Sequence, residues 1–365
     1  MCGSSLRCSS SAIIVSWFTT LSTSGRSASR SRTRHALVDR ERTVRPVITH
    51  RTVDVDGLTL HLAESGPADG PVVLLLHGFP ECWYSWRHQL VAFGDAGFHV
   101  VAPDQRGYGR SDAPEAIDAY TILHLVGDAI GVLDAVGAER AVVVGHDWGA
   151  PVAWHTALLR PDRVRGVVGL SVPYLPRASA PPTGGLAKRF GPGYYQLYFQ
   201  TPGVADVELA ADPRATHRRL LSATSGGDQP PALAVVAGGG FLDALPEPDR
   251  LPDWLTEADL DVYQAEYARN GFTGGLNWYR NLDRNWALTA AWSGATITPP
   301  ALYMAGEGDV VVAGVPFDAL VSTLRRSVTD LRSAVSLPGC GHWTQQERPT
   351  EVNQAIIDFA GRLDP

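Results

Sequence analysis

Two spacings of apolar residues recur along the chain, one typical of buried strands and one typical of amphipathic helices. Segments 53–55 and 58–62 alternate apolar and polar residues around Asp56-Gly57, which predicts a β-hairpin. Continuous apolar runs predict buried strands, and helically spaced apolar residues predict helices between them. The runs occupy 72–76, 100–102, 141–144, 166–170 and 301–304, and the helical patterns occupy 85–97, 123–136, 148–159, 317–326 and 351–363. This alternation predicts an α/β fold with a mostly parallel sheet flanked by helices.

The alternation stops in one long central stretch. Between 176 and 290 the sequence has proline and glycine clusters, aromatic segments and helix-like stretches, but no buried strand pattern. Ligands of open parallel sheets bind at the carboxyl ends of the strands, so an inserted segment there is placed to cover a site. We therefore predict an α/β core at 49–175 and 291–365, a helical cap domain at 176–290, and a leader or disordered segment at 1–48.

The segment from Val142 to Ala150 joins an apolar strand directly to a Gly-x-Asp-x-Gly sequence, and a helical pattern follows. This is the layout of a nucleophile elbow, where small residues allow a sharp turn that exposes one side chain above the sheet. The esterase version exposes a serine, whereas this chain has Asp147. The elbow pattern alone is weak, because an aspartate after a strand is often only a helix cap.

A nucleophile at such an elbow requires an acid and then a histidine, in that chain order. Asp309 follows the predicted strand 301–304, and His342 precedes the last predicted helix. Glu307, two residues before Asp309, is an alternative acid. Asp147, Asp309 and His342 therefore form the predicted catalytic triad.

An aspartate nucleophile suits attack on an sp3 carbon. A serine would form an ether there, whereas a carboxylate forms an ester whose carbonyl carbon water can attack. His342 would act as the general base for that water, with Asp309 orienting the imidazole. The resulting oxyanion requires backbone donors, and the elbow architecture assigns these to the N–H groups of Trp148 and Phe79.

The leaving group decides which sp3 substrate is favoured. An epoxide oxygen needs a proton donor opposite the nucleophile, and the insertion has tyrosines in two aromatic segments, 194–200 and 277–281. A phenol, with a pKa of about 10, is protonated at neutral pH and can donate to a developing alkoxide. A halide would instead require N–H donors such as two indoles. Trp148 could supply one indole, but the sequence shows no clear second one. The residues therefore favour an epoxide over a haloalkane.

Composition excludes several other functions. The chain has 365 residues, 44% of them hydrophobic, which is enough for one large core with an insertion. Its formal net charge of −7, without a basic stripe, argues against a nucleic-acid partner. It has no run of about 18 apolar residues that would predict a transmembrane helix. Its four cysteines show neither a disulfide framework nor metal-ligand spacing, so we expect no metal and no cofactor.

The amino-terminal segment differs from the rest. Residues 1–38 contain no Asp or Glu but many serines and five arginines, as in organelle transit peptides, and 11–18 weakly resemble a signal-peptide core. Without helix or strand periodicity, the segment is best interpreted as a disordered leader. The few scattered cysteines favour a cytoplasmic location, with an organellar or secretory leader as alternatives. The oligomeric state stays open, a homodimer being one candidate.

Several segments in the same order resemble the epoxide hydrolases of the α/β-hydrolase fold, particularly those similar to the catalytic half of mammalian soluble epoxide hydrolase. The resemblance runs from about residue 50 to the end and is strongest at 77–86, 104–111, 145–149, 195–205, 276–281 and 341–345. It implies that Tyr195 and Tyr279 are the two cap tyrosines that polarise the epoxide oxygen. It also implies a cis peptide bond before Pro80.

The resemblance agrees with the triad and oxyanion donors given above, and it implies an enzyme that converts an epoxide and water to a vicinal diol. Haloalkane dehalogenases share the aspartate elbow and are the alternative. They are disfavoured by the tyrosine pair and by Phe79, where many of them have asparagine. Residues 203–251 are rich in Ala, Gly and Pro and do not predict which epoxide is bound or with which selectivity.

Overall fold

Eight strands of the computed structural model, which describes residues 47–227, 231, 233–235 and 238–364, form one sheet. Their bounds are β1 Thr49–Val55, β2 Leu58–Ser65, β3 Val72–Leu76, β4 His99–Pro103, β5 Ala141–His146, β6 Val164–Leu170, β7 Ala301–Gly306 and β8 Leu331–Leu337. The predicted leader at 1–48 lies outside the described residues except for its last two. The interpretation of this segment as a leader or disordered segment stays a prediction. The cytoplasmic location and the homodimer also stay predictions.

The sheet has the order β1-β2-β4-β3-β5-β6-β7-β8. β1 and β2 pair antiparallel around a turn in which Asp56 and Gly57 have φ values of 53° and 79°, so the predicted hairpin is confirmed. β2 pairs antiparallel with β4, and from β4 to β8 all neighbours are parallel. This arrangement confirms the predicted α/β fold with a mostly parallel sheet.

Thirteen α-helices accompany the sheet in the part of the chain that the structure describes. They are α1 Arg87–Asp95, α2 Ile122–Ala135, α3 Gly149–Leu159, α4 Pro182–Phe190, α5 Tyr195–Tyr198, α6 Val204–Ala210, α7 Pro213–Ala223, α8 Glu257–Asn270, α9 Thr273–Arg280, α10 Leu282–Leu288, α11 Phe317–Leu324, α12 Thr344–Glu347 and α13 Pro349–Gly361. None of these described helices is long and apolar enough to cross a membrane. Helices α4 to α10 lie between β6 and β7, where the insertion was expected, and its division as a cap domain stays a prediction.

The central strands are continuously apolar because helices cover both faces of the sheet. In β5, Val143 belongs to the hydrophobic core that contains α2 and α3, whereas Val142 and Val144 belong to the core that contains α1 and α13. All six residues of β5 are buried. The end of this rigid strand is where the elbow begins, so the fold holds the candidate nucleophile at the centre of the sheet.

The strand pattern missed β8. Among the described residues this strand pairs only with β7, at the edge of the sheet, and its residues from Arg332 to Ser336 are exposed or half-buried. An edge strand needs no continuous apolar run, because one side of it faces solvent. Its sequence therefore lacks the signal that marked the central strands.

Candidate active site

Asp147 follows β5 directly and has a φ of 49°, in the left-handed region that few residues other than glycine adopt. The flanking glycines permit this turn. A Cβ atom on Gly145 would collide with the carbonyl oxygen of Gly149, and one on Gly149 would collide with that of Leu76. The chain therefore turns as tightly as the Gly-x-Asp-x-Gly sequence predicts, with Asp147 at its apex.

The two oxygens of the Asp147 carboxylate contact two different neighbours. The backbone N–H of Phe79 donates to Oδ1 at 2.8 Å, and the Nε2 atom of His342 lies 3.4 Å from Oδ2. The Phe79–Pro80 peptide bond is cis, as the resemblance implies. Trp148, the second predicted backbone donor, follows Asp147 at the amino end of α3.

His342 is oriented from behind by Asp309. Its Nδ1 atom lies 3.0 Å from Oδ1 of Asp309, which also accepts the backbone N–H of Val311 at 3.0 Å. Asp309 is fully buried, whereas Glu307, the alternative acid, is exposed. Of the two acids that the sequence leaves open, the structure brings Asp309 to the histidine.

The charges of Asp147 and His342 stabilise each other. Burial alone would lower the pKa of His342, but the carboxylates of Asp309 and Asp147 outweigh this effect and raise it well above its ordinary value. Burial would raise the pKa of Asp147, but the hydrogen bond and charge of His342 and the Phe79 N–H lower it overall. Both shifts favour an ionised aspartate beside a protonated imidazole.

The two predicted tyrosines meet at this site. Their ring centroids are 6.0 Å apart, and the Tyr279 ring lies 5.1 Å from Trp148 and 5.6 Å from Phe79. Burial, and then the neighbouring tyrosine hydroxyls and the charge of Asp147, raise the pKa of both Tyr195 and Tyr279 well above 10. Both phenols are therefore protonated at neutral pH and available as donors.

The side chain of Gln196 gives the hydroxyl of Tyr195 a defined orientation. Its Nε2 atom donates to the Tyr195 oxygen at 2.9 Å. This bond uses a lone pair of the hydroxyl oxygen and does not use the Tyr195 proton.

Sequence reasoning missed Ser171, which contacts the triad. It follows β6, is fully buried, and has a φ of 69°. Its Oγ atom lies 3.1 Å from Nδ1 of His342. The available signal was its position after a buried strand, since polar residues at the carboxyl ends of parallel strands gather at one edge of the sheet.

His146 does not face the site; its two ring nitrogens contact Glu81 and the backbone of His342 instead. Its Nδ1 atom lies 2.8 Å from the buried carboxylate of Glu81, and its Nε2 atom lies 2.7 Å from the backbone carbonyl of His342. The side-chain amides of Gln345 and Gln346 each donate to Glu81 at 2.9 Å. A buried carboxylate needs such hydrogen-bond partners. Here they link the loop after β3, which contains Glu81, to the segment after β8, which contains His342.

The described residues contain no group of three or more His, Cys, Asp or Glu side chains arranged to hold a metal ion. The chemistry available from these residues is a buried carboxylate nucleophile, an imidazole oriented by a second carboxylate, backbone donors and two neutral phenols. This set suits attack on an electrophilic carbon whose leaving oxygen accepts a proton.

Known proteins with a similar sequence define the family. Residues 71–349 match the alpha/beta hydrolase fold family. Epoxide hydrolase A of Mycobacterium tuberculosis is 52% identical over 320 residues, which cover 87% of this chain and 98% of that protein. Bifunctional epoxide hydrolase 2 of Mus musculus is 37% identical over 86% of this chain, which matches 55% of the mouse protein.

Solved structures agree with this assignment. Epoxide hydrolase A from Mycobacterium thermoresistibile is 51% identical, with a TM-score of 0.81 over 87% of this chain and 99% of that one. An epoxide hydrolase from an endophytic Streptomyces is 46% identical, with a TM-score of 0.81 over 86% and 95% of the two chains. The chain belongs to the epoxide hydrolases of the α/β-hydrolase fold.

Proposed function

We propose that this protein converts epoxides to vicinal diols through a covalent ester on Asp147. The main support is the elbow carboxylate, which is held ionised between the Phe79 N–H and the His342–Asp309 pair. An ionised carboxylate beside two protonated phenols matches the two needs of epoxide opening, a nucleophile and a proton donor. Its relatives named above at 37–52% identity are epoxide hydrolases.

In the first step, an oxygen of Asp147 attacks an epoxide carbon, and the carbon–oxygen bond of the ring breaks. Oδ2 is the better candidate, because Oδ1 already accepts the Phe79 N–H and is suited to become the ester carbonyl oxygen. The leaving oxygen takes the proton of Tyr195 or Tyr279. The resulting tyrosinate is neutralised by the proton of His342, which restores the phenol and leaves a neutral imidazole.

In the second step, water attacks the carbonyl carbon of the Asp147 ester. His342 takes a proton from that water, and the tetrahedral oxyanion is stabilised by the backbone N–H groups of Phe79 and Trp148. Collapse of this intermediate releases the diol, whose alkoxide oxygen takes the proton of the Asp147 carboxyl group. The cycle closes with an ionised Asp147 and a protonated His342.

Forming the ester also prepares the base for its task. The negative charge of Asp147 is one of the causes that raise the pKa of His342, and this charge disappears when the carboxylate is esterified. The pKa of His342 therefore falls after the first step. The histidine becomes able to lose its proton at the stage where a neutral base is needed.

We also propose that residues 176–290 form a cap domain over the carboxyl ends of the strands. Tyr195 and Tyr279 belong to α5 and α9 of this segment, whereas Asp147 and His342 lie on loops of the core. In this arrangement the core supplies the nucleophile and base, and the cap supplies the donors to the leaving oxygen. Substrate binding between them positions the epoxide for attack by Asp147.

The proposal is tested by incubating the protein with styrene oxide and, separately, with a bromoalkane. We expect the diol of styrene oxide and no halide release, with diol formation lost in Asp147→Asn. Halide release without diol formation would show instead that the protein is a haloalkane dehalogenase. Diol formation at the wild-type rate by Asp147→Asn would contradict the covalent mechanism.

A further inference from the structure

Glu347, the last residue of α12, binds three backbone N–H groups from two distant parts of the chain. Its Oε2 atom accepts from Gly226 at 2.9 Å and from Gly341 at 2.8 Å, and its Oε1 atom accepts from Trp343 at 3.0 Å. Gly341 and Trp343 flank His342 directly. The carboxylate therefore holds both neighbours of the proposed base and, through Gly226, the segment after α7.

The end of α7 and the segment after it lie directly on the His342 loop. The backbone N–H of His342 donates to the carbonyl of Thr224 at 2.9 Å, and the Trp343 indole donates to the carbonyl of Leu221 at 3.0 Å. A Cβ atom on Gly226 would lie 3.0 Å from the backbone nitrogen of Gly341. The two backbones are therefore in close contact, with no room for a side chain between them.

We infer that Glu347 is a positioning residue for ester hydrolysis, which joins the turn at residues 224–227 to the His342 loop. Charge-assisted bonds to backbone N–H groups are strong, so the two on the His342 loop and the one on Gly226 hold these segments together in one arrangement. Glu347 itself contacts neither Asp147 nor the two tyrosines. This role rests on the proposed two-step mechanism and assigns Glu347 to its second step, the hydrolysis of the ester.

The two steps depend on His342 in different ways. Formation of the ester needs the Asp147 carboxylate and a phenolic proton, and the proton of His342 is used only afterwards, to restore the phenol. Hydrolysis instead needs the imidazole itself aimed within hydrogen-bonding distance of a water. A displaced loop therefore slows hydrolysis more than ester formation. When hydrolysis limits turnover, its slowing lowers kcat and KM by the same factor and leaves kcat/KM unchanged.

The test uses Glu347→Gln, which preserves size but replaces one carboxylate oxygen with an N–H donor. At least one of the three backbone N–H groups then loses its acceptor. We expect kcat and KM for styrene oxide to fall together by about ten- to a hundredfold, and kcat/KM to change by less than about threefold. Rapid quenching and mass analysis should show the ester accumulating on the Asp147 peptide. Glu351→Gln, an exposed change on α13, should match the wild type.

Gly226→Ala tests the same contact from the other side and leaves Glu347 intact. Its Cβ would press on the Gly339 carbonyl oxygen at 2.5 Å and the Gly341 nitrogen, so we expect the same kinetic pattern. If Glu347→Gln does not fold, this variant decides the matter. Unchanged ester decay in the folded variants, or a fall in kcat/KM equal to that in kcat, would overturn the inference. Absence of any ester in the wild type would instead refute the proposed function and this inference with it.

Discussion

At the scale of single residues, the site is explained by the mutual effect of Asp147 and His342. Burial disfavours the charge of each, and each favours the charged form of the other, for His342 together with Asp309. A serine at the elbow would not raise the pKa of His342 in this way. The choice of aspartate therefore affects the base as well as the nucleophile.

This coupling predicts the behaviour of Asp147→Asn. Removing the carboxylate charge removes one cause that raises the pKa of His342, so that pKa should fall relative to the wild type. An NMR titration of the histidine rings measures the change. His124 is the control, because Asp147 is not among the causes that shift its pKa. An unchanged pKa of His342 would contradict the electrostatic account of the site.

The two candidate acids provide a second prediction. Asp309→Asn removes the buried partner of His342, and loss of such an orienting carboxylate in a serine-protease triad costs about 10⁴-fold in kcat. We expect turnover of styrene oxide to fall at least about a hundredfold. Glu307→Gln, an exposed change two residues earlier, should remain within about twofold of the wild type. The reverse order of effects would assign the role to Glu307.

At the scale of elements, the elbow depends on close packing between β5, α3 and the end of β3. Gly149 touches the backbone of Leu76 so closely that no Cβ fits. The pattern of two glycines around an aspartate is visible in sequence because only glycine satisfies this packing. The element that carries the nucleophile is for this reason the most predictable part of the site.

Gly149→Ala should destabilise the fold, because the new Cβ would meet the carbonyl oxygen of Leu76. Forcing an extra carbon into such packing typically costs about 1–3 kcal/mol. Gly127→Ala is the matched control, since Gly127 lies in α2 with open space around it. That change should raise the free energy of unfolding by about 0.5–1 kcal/mol, because alanine favours helix. Denaturant unfolding of both variants measures the difference, and equal effects would contradict the packing argument.

At the scale of the whole molecule, the order of strands and helices was predictable because the central strands are buried on both faces. The edge strand β8 was not, since its exposed positions interrupt the apolar pattern. Asp309 and His342 could be placed by chain order, but only the structure shows that Asp309 contacts the histidine. The contacts of Ser171 with His342 and of Glu347 with Gly226 join residues more than a hundred positions apart, so the sequence does not show which partner each side chain reaches.

The central claim is that the ester forms on Asp147 and that water attacks the carbonyl of this residue. One turnover of styrene oxide in ¹⁸O-labelled water, with protein in excess, tests this directly by mass analysis of the peptides and the diol. We predict label in the Asp147 peptide, an unlabelled diol and an unlabelled Asp309 peptide. A labelled diol with an unlabelled Asp147 would mean that water attacks the epoxide itself, and would contradict the account.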